Sequence, residues 1–287
     1  MSEGTSNSVV NLGEFSKPAD TLIKKISKAV GGFCAPWQIK RVAEAEAEAA
    51  IIKAEANIQI TDLHRRAARR FLEEEAQRQK NIENITEKAL PLLTDAAKPE
   101  AVEDDWITNF FDKCRIVSDA EMQTLWSKIL AGEANVPGTF SKRTVNLLSD
   151  MDKNDAALFK SLCGFTWRIG DLEAIVYNLD DLIYKNQGID FKGVTHLDSI
   201  GLAQFNPSQG FARLSLPKNF LVYYYDKPLM LSMPKVDGNR LELGFVILTK
   251  SGQELASICG SKSVDGFFDY VGQKWLKLGY MNVVKQL

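Results

Sequence analysis

Between Gln38 and Leu90 the chain contains no glycine and no proline. The stretch is crowded with Ala, Glu, Lys, Arg and Gln, residues that lose little on entering a helix. As one helix it would extend roughly 80 Å at about 1.5 Å per residue, more than a compact domain of this size is wide. A rod of that length cannot bury its own apolar face inside a small domain. The feature therefore points to assembly before it points to chemistry.

The details of residues 38–90 support a helix. Ala43 to Ala49 alternate Ala and Glu with a strand period, but both residues are poor strand formers and good helix formers. A stripe runs through Ile39, Val42, Ala45, Ala49, Ile52, Ala56, Ile60, Leu63, Ala67 and Phe71, in steps averaging about 3.6 residues. Ala outnumbers Leu along it, which predicts close, shallow coiled-coil-like contact rather than a leucine-rich seam. Arg65, Arg66, Arg69 and Arg70 precede Glu73, Glu74 and Glu75. At i,i+4 spacing these groups form a salt-bridged solvated face. The competing reading is an arginine patch for phosphate, in nucleic acid or lipid. His64 reads as a surface residue. Pro91 ends the helix, and a bend near Thr61-Asp62 would instead fold it into a hairpin.

Composition excludes several classes. Lys and Arg total 35 against 37 Asp and Glu, for a net charge of −2, and neither half is basic enough to mark a dedicated nucleic-acid binder. The four cysteines, Cys34, Cys114, Cys163 and Cys259, are scattered without a C-x-x-C spacing. With only two histidines they make no recognisable zinc pattern. They read as free thiols in a reducing compartment, and no metal or cofactor is expected. Met1–Val10 lacks the basic and apolar parts of a secretory signal, and no apolar run approaches the roughly 18 residues of a membrane span. The expectation is a cytoplasmic protein, or one peripheral on the inner membrane face.

Residues 1–16 are rich in Ser, Gly and Asn and read as a flexible tail. Residues 17–37 contain a short amphipathic helix with Leu22, Ile26 and Val30 on one side, Lys24, Lys25 and Lys28 mostly on the other, and Phe33 and Trp37 beyond. Two readings stand: docking on another protein surface, or lying on an anionic membrane surface.

Residues 101–165 read as a small helical bundle. Asp104-Asp105 start a helix bearing Trp106, Ile107, Phe110, Phe111 and Cys114. Ser118 and Glu121 have capping-box spacing ahead of Met122, Leu125, Trp126, Ile129 and Leu130, and Gly132 is the expected stop. Ser141 starts a third helix and Asp152 to Asn154 precede a fourth. Lys128, Glu133, Lys142 and Arg143 are the polar members of the block. Arg143 is expected to pair with Glu133 across the Pro137-Gly138 loop, or to face a ligand. Phe140, before the Ser141 cap, fits the position of a hydrophobic staple.

The block Leu125-Trp126-Ser127-Lys128-Ile129-Leu130-Ala131-Gly132-Glu133, followed by Pro137-Gly138-Thr139-Phe140-Ser141-Lys142-Arg143-Thr144, resembles the signature of a bacterial family known only as a domain of unknown function. Val117 to Glu121 and Leu248 to Leu255 also fit it. The resemblance implies a bacterial or phage-encoded protein in prophage, stress or antiviral-defence settings. It implies no reaction. The residues themselves hold no phosphate loop, metal triad or nucleophile with a paired base.

Residues 166–287 read as an α+β domain with a winged-helix-like order of elements. Asp171 to Lys185 is expected as a helix, with Leu172, Ile175, Val176, Leu179 and Leu182 on one face, and Phe191 to Leu202 as another. Strands are expected at Phe211 to Leu216, Phe220 to Tyr225 and Leu241 to Thr249, with Pro228 to Pro234 extended. Helices follow from Ser251 or Gly252 and over Val264 to Leu278. Alternation along Tyr223-Tyr224-Tyr225 should expose at least one ring. The whole chain is thus expected to be mainly α with a C-terminal α+β part. The expected function is a non-enzymatic oligomeric scaffold or sensor-effector, assembling as a homo-oligomer through the long helix. A protein partner is a further expectation. The alternatives are a membrane-surface effector and a nucleic-acid binder.

Overall fold

A computed structural model describes residues 16–30 and 62–281. Phe33, Trp37, Ile39, Val42 and Ile52, and with them the first half of the expected rod, lie outside the described residues. The described chain is helical in its N-terminal part and α+β in its C-terminal part. It divides into two compact units between Thr139 and Phe140.

The first unit is built on α2 (Asp62–Ala89). Pro91 ends it as the sequence predicts, within a 3-10 turn over Leu90–Leu92. Proline can neither donate to nor fit inside a continuing helix. Helix α1 (Lys17–Val30) lies against α3 (Asp104–Cys114) and the turn Pro99–Ala101. Trp106, Ile107, Phe110, Phe111 and Cys114, the face expected of α3, are all buried. Glu103 rather than Asp104 is its N-cap residue, and both aspartates sit inside the first turn, where their charge meets the positive end of the helix. Helix α4 (Ala120–Asn135) starts one residue later than the expected cap: the Asp119 carboxylate accepts from the amides of Glu121 and Met122. Gly132 does not stop α4, which runs on to Asn135. A single glycine costs a helix only about 1 kcal/mol, and the burial of Glu133 and Ala134 keeps the last turn in place.

The amphipathic face of α1 meets its own chain. Leu22 and Ile26 are fully buried. Lys25 donates to the carbonyls of Glu100 and Val102, and Lys25 and Lys28 each lie 3.3 Å from the Asp104 carboxylate. The Lys25 and then the Lys28 ammonium hold that carboxyl below its ordinary range. The apolar side expected to dock on a partner or a membrane is therefore covered from within, because the aromatic face of α3 supplies the apolar surface it needs.

The second unit opens with α5 (Lys142–Asp150) and α6 (Lys153–Cys163). Ser141 caps α5, and Asp152 with Asp155 forms a capping box on α6. Both helices belong to the unit that carries the sheets.

Strands β1 (Thr166–Ile169), β2 (Asp171–Ala174), β5 (Asn219–Tyr224) and β6 (Lys227–Ser232) make a four-stranded antiparallel sheet in the order β2-β1-β5-β6. Two further antiparallel pairs join β3 (Ala203–Phe205) to β8 (Val246–Leu248) and β4 (Phe211–Leu216) to β7 (Asn239–Gly244). The helix expected over Asp171 to Lys185 is absent. Gly170 turns with φ +80, β2 pairs back on β1, and only α7 (Leu182–Lys185) is helical. The spacing of Leu172, Ile175, Val176 and Leu179 fits a helical stripe, but Val176 gives its amide to the Leu243 carbonyl, and tertiary pairing overrides a local period.

Helix α8 (Phe191–Ser199), and α9 (Lys250–Ala256) and α10 (Phe267–Lys277) after the strands, lie where the sequence places helices. The core is aromatic. Trp167 meets Tyr224, Phe268 and Trp275 at centroid distances of 5.2, 5.5 and 4.8 Å, and Phe165 meets Phe267 at 4.9 Å. Tyr224 is buried in that cluster, while its neighbour Tyr223 in β5 keeps 36% exposure, the alternation expected of a strand; Tyr225, in the turn after β5, keeps 39%.

Candidate functional site: an uncovered helix face

Helix α2 changes character along its length. Ile82, Ile85 and Ala89 are buried, and this end packs against α4 and α3. Asn81 anchors it by donating to the Arg115 carbonyl at 2.9 Å. Residues 62–74 are exposed throughout. Leu63 is 65% and Phe71 60% exposed. At 100° per residue, Leu63, Ala67 and Phe71 fall on the same side of the helix as Ile82, Ile85 and Ala89. Glu74 and Arg78 fall on that same side between the two groups and pair at 3.7 Å, so the apolar side of α2 comes in two patches. The C-terminal patch is covered by the chain itself, and the N-terminal patch is uncovered among the described residues.

The arginine cluster does not converge on a ligand-sized site. Arg66 meets Asp62 at 3.5 Å, Arg69 meets Glu73 at 3.0 Å, and Arg70 meets Glu74 at 3.4 Å. Each pair spans i,i+4 and is exposed, a geometry that contributes about 0.3–0.5 kcal/mol. Arg65 is exposed as well. These pairs keep the exposed end of α2 helical and solvated.

The motif residues form knots that hold the chain's own structure. Trp126 is buried edge-on to Phe110 at 5.1 Å. Glu133 is buried, and its carboxylate accepts the Gly138 amide at 2.6 Å, so it ties down the Pro137-Gly138 turn. Lys128 and Pro137 are half-buried, Phe140 is buried and Arg143 is exposed.

A second knot was not foreseen from the sequence. The Glu254 carboxylate, with 9% of its side chain exposed, accepts from the Ser141 amide at 2.9 Å, the Ser141 hydroxyl at 3.3 Å and the Thr144 hydroxyl at 2.6 Å. Two blocks far apart in the chain thus meet at the start of α5. Gly252 lies in the same block because a Cβ there would come within 2.0 Å of the Leu202 carbonyl. The serine hydroxyl faces a carboxylate and the Thr144 hydroxyl at 3.1 Å, an arrangement that caps α5. Among the described residues, no group of three or more His, Cys, Asp and Glu is placed to hold a metal ion. No described helix is long and apolar enough to cross a membrane.

The family model described as "Protein of unknown function (DUF2806)" matches residues 65–272. The chain belongs to this family. The DUF2806 match begins inside the exposed half of α2 and ends inside α10. It therefore takes in both knots and most of the uncovered face, and leaves out α1. None of the curated proteins and none of the solved structures matches the chain.

Proposed function

We propose that this DUF2806 chain is a non-enzymatic scaffold or sensor-effector of bacterial or phage origin, acting in antiviral defence or stress, and that it assembles as a homo-oligomer through α2 and the residues preceding it. The observation that carries the reading is the N-terminal apolar patch of α2, uncovered at Leu63 and Phe71 on the side of the helix whose other end is buried at Ile82, Ile85 and Ala89. A second copy presenting the same patch in a coiled-coil-like contact removes that apolar surface from water at roughly 25 cal/mol per Å².

The alternatives have less support. A membrane-surface role for residues 17–37 loses Leu22 and Ile26 to the interior. A nucleic-acid role, with residues 166–287 acting as a winged-helix-like domain, would rest on α8, which carries Lys192 and Asp198 but no arginine, and on arginines already paired with carboxylates.

Sizing with light scattering tests the proposal. The intact chain is expected above monomer mass at micromolar concentration, and a Leu63→Glu, Phe71→Glu double variant at or near monomer mass. An intact chain that stays monomeric would sink the reading.

A further inference from the structure

The chain carries the tripeptide Val-Asp-Gly twice, as Val236-Asp237-Gly238 and as Val264-Asp265-Gly266. A glycine after an aspartate has no Cβ to crowd the approach of the carboxyl to the following backbone amide. By sequence the two sites are equivalent. By structure they are not.

Asp237 and Gly238 form the tip of the turn from β6 to β7, and both are exposed. The Asp237 carboxylate accepts the Gly238 amide at 2.7 Å. The side chain is thus folded back over the next peptide nitrogen, and the carbon and nitrogen that a ring closure would join are already side by side. Gly238 has φ +68, and a Cβ built on it would meet nothing within 4 Å. The tip is open while its base is fastened. The Lys218 amide donates to the Val236 carbonyl at 3.0 Å. The buried Asn239 side chain accepts the Lys235 amide at 3.0 Å and donates to the carbonyls of Lys235 at 2.8 Å and Leu216 at 3.0 Å.

Asp265 and Gly266 are built into the start of α10. The Gly266 carbonyl accepts the Tyr270 amide at 3.0 Å, and the Val264 carbonyl accepts the Phe267 amide at 3.2 Å. The Val264 amide donates to the hydroxyl of buried Tyr224 at 2.6 Å. Among the described residues, the bond that folds Asp237 onto the Gly238 amide has no counterpart between Asp265 and Gly266. Ring closure there must first turn the Asp265–Gly266 peptide out of the arrangement these bonds hold.

We propose that Asp237 is a site of covalent modification by its own backbone, closing with Gly238 to a succinimide that water opens to isoaspartate. The Gly238 nitrogen attacks Cγ of the protonated Asp237 carboxyl. A carbon–nitrogen bond forms, and the carboxyl hydroxyl leaves as water with the amide proton. Water then adds to one of the two ring carbonyls and breaks its bond to nitrogen. Opening at Cγ restores aspartate. Opening at the main-chain carbonyl leaves the chain running through Cγ, as isoaspartate. One water is released and one is consumed, so no oxidant or cofactor takes part. The product carries an extra backbone methylene between the Val236 and Asn239 anchors, and this should loosen the end of the β4–β7 pair where Leu216 faces Asn239.

The test ages the full chain at mildly acidic pH and physiological temperature. Digestion and electron-transfer mass spectrometry then distinguish isoaspartate from aspartate at each position. Isoaspartate at 237 should exceed that at 265 by at least about tenfold, because only the first site holds its reacting atoms together. In a chain kept unfolded in guanidinium the two yields should be similar. Asp237→Glu, whose ring would have six members and form more slowly, should remove the signal at 237 and leave that at 265 unchanged. In the aged wild-type chain the amides of residues 216–218 and 235–239 should exchange faster with solvent than in Asp237→Glu aged alongside it. A ratio of the two yields no higher in the folded chain than in the unfolded one would overturn the proposal.

Discussion

Glu254 receives three donors at the start of α5: the Ser141 amide, the Ser141 hydroxyl and the Thr144 hydroxyl. Its loss therefore differs from the loss of a surface charge. Glu254→Ala leaves an amide and two hydroxyls at a site with little access to water, and each unmatched buried donor costs about 1–3 kcal/mol. Glu254→Gln keeps the shape and one acceptor oxygen but gives up the charge assistance that strengthens such bonds. In urea unfolding, the transition that reports on residues 140–281 should lose at least about 2 kcal/mol in Glu254→Ala and visibly less in Glu254→Gln. Equal losses would mean that the carboxylate charge does nothing there. Gly252, two residues earlier, tolerates no side chain, because the backbone of Leu202 occupies the place of its Cβ. Glu254 and Gly252 thus serve one end, docking the block after β8 against α5.

The two halves of α2 place opposite demands on their apolar side chains. Ile85→Ala removes a fully buried side chain and should cost about 2–5 kcal/mol. Leu63→Ala and Phe71→Ala, each more than half exposed, should move the unfolding free energy of a dilute, dissociated sample by less than about 0.5 kcal/mol. A large effect of Phe71→Ala under those conditions would show that the ring is buried within one chain. Helix α2 was legible in the sequence for a plain reason: Pro91 stops it, its composition favours it, and no glycine interrupts it. Ser141, Asp152 and the face of α3 were legible too, because capping and helical period are local. What escaped the sequence was set by distant partners. The stripe of Leu172 and Val176 passes for a helix until β1 and Leu243 claim it, and the covering of Leu22 and Ile26 depends on α3, far along the chain. For the same reason, nothing near Ser141 announces Glu254.

At the scale of the whole molecule, assembly through α2 has a thermodynamic signature that distinguishes the two units. A partner that binds only the folded state stabilises it in proportion to the logarithm of its concentration. The exposed patch belongs to the first unit and to the same helix as Ile82 and Ile85 in that unit's core, so self-association should protect that core. The second unit has its own core around Trp167, Phe267 and Trp275, and association through α2 should leave its protection unchanged. Hydrogen exchange measured at two protein concentrations separates these outcomes. Amides of residues 81–135 should exchange more slowly at the higher concentration, those of residues 166–275 should not, and the Leu63→Glu, Phe71→Glu variant should lose the difference. Slowing spread equally over both regions would place the association elsewhere, because an interface confined to the exposed α2 patch has no direct means of protecting the sheets of the second unit.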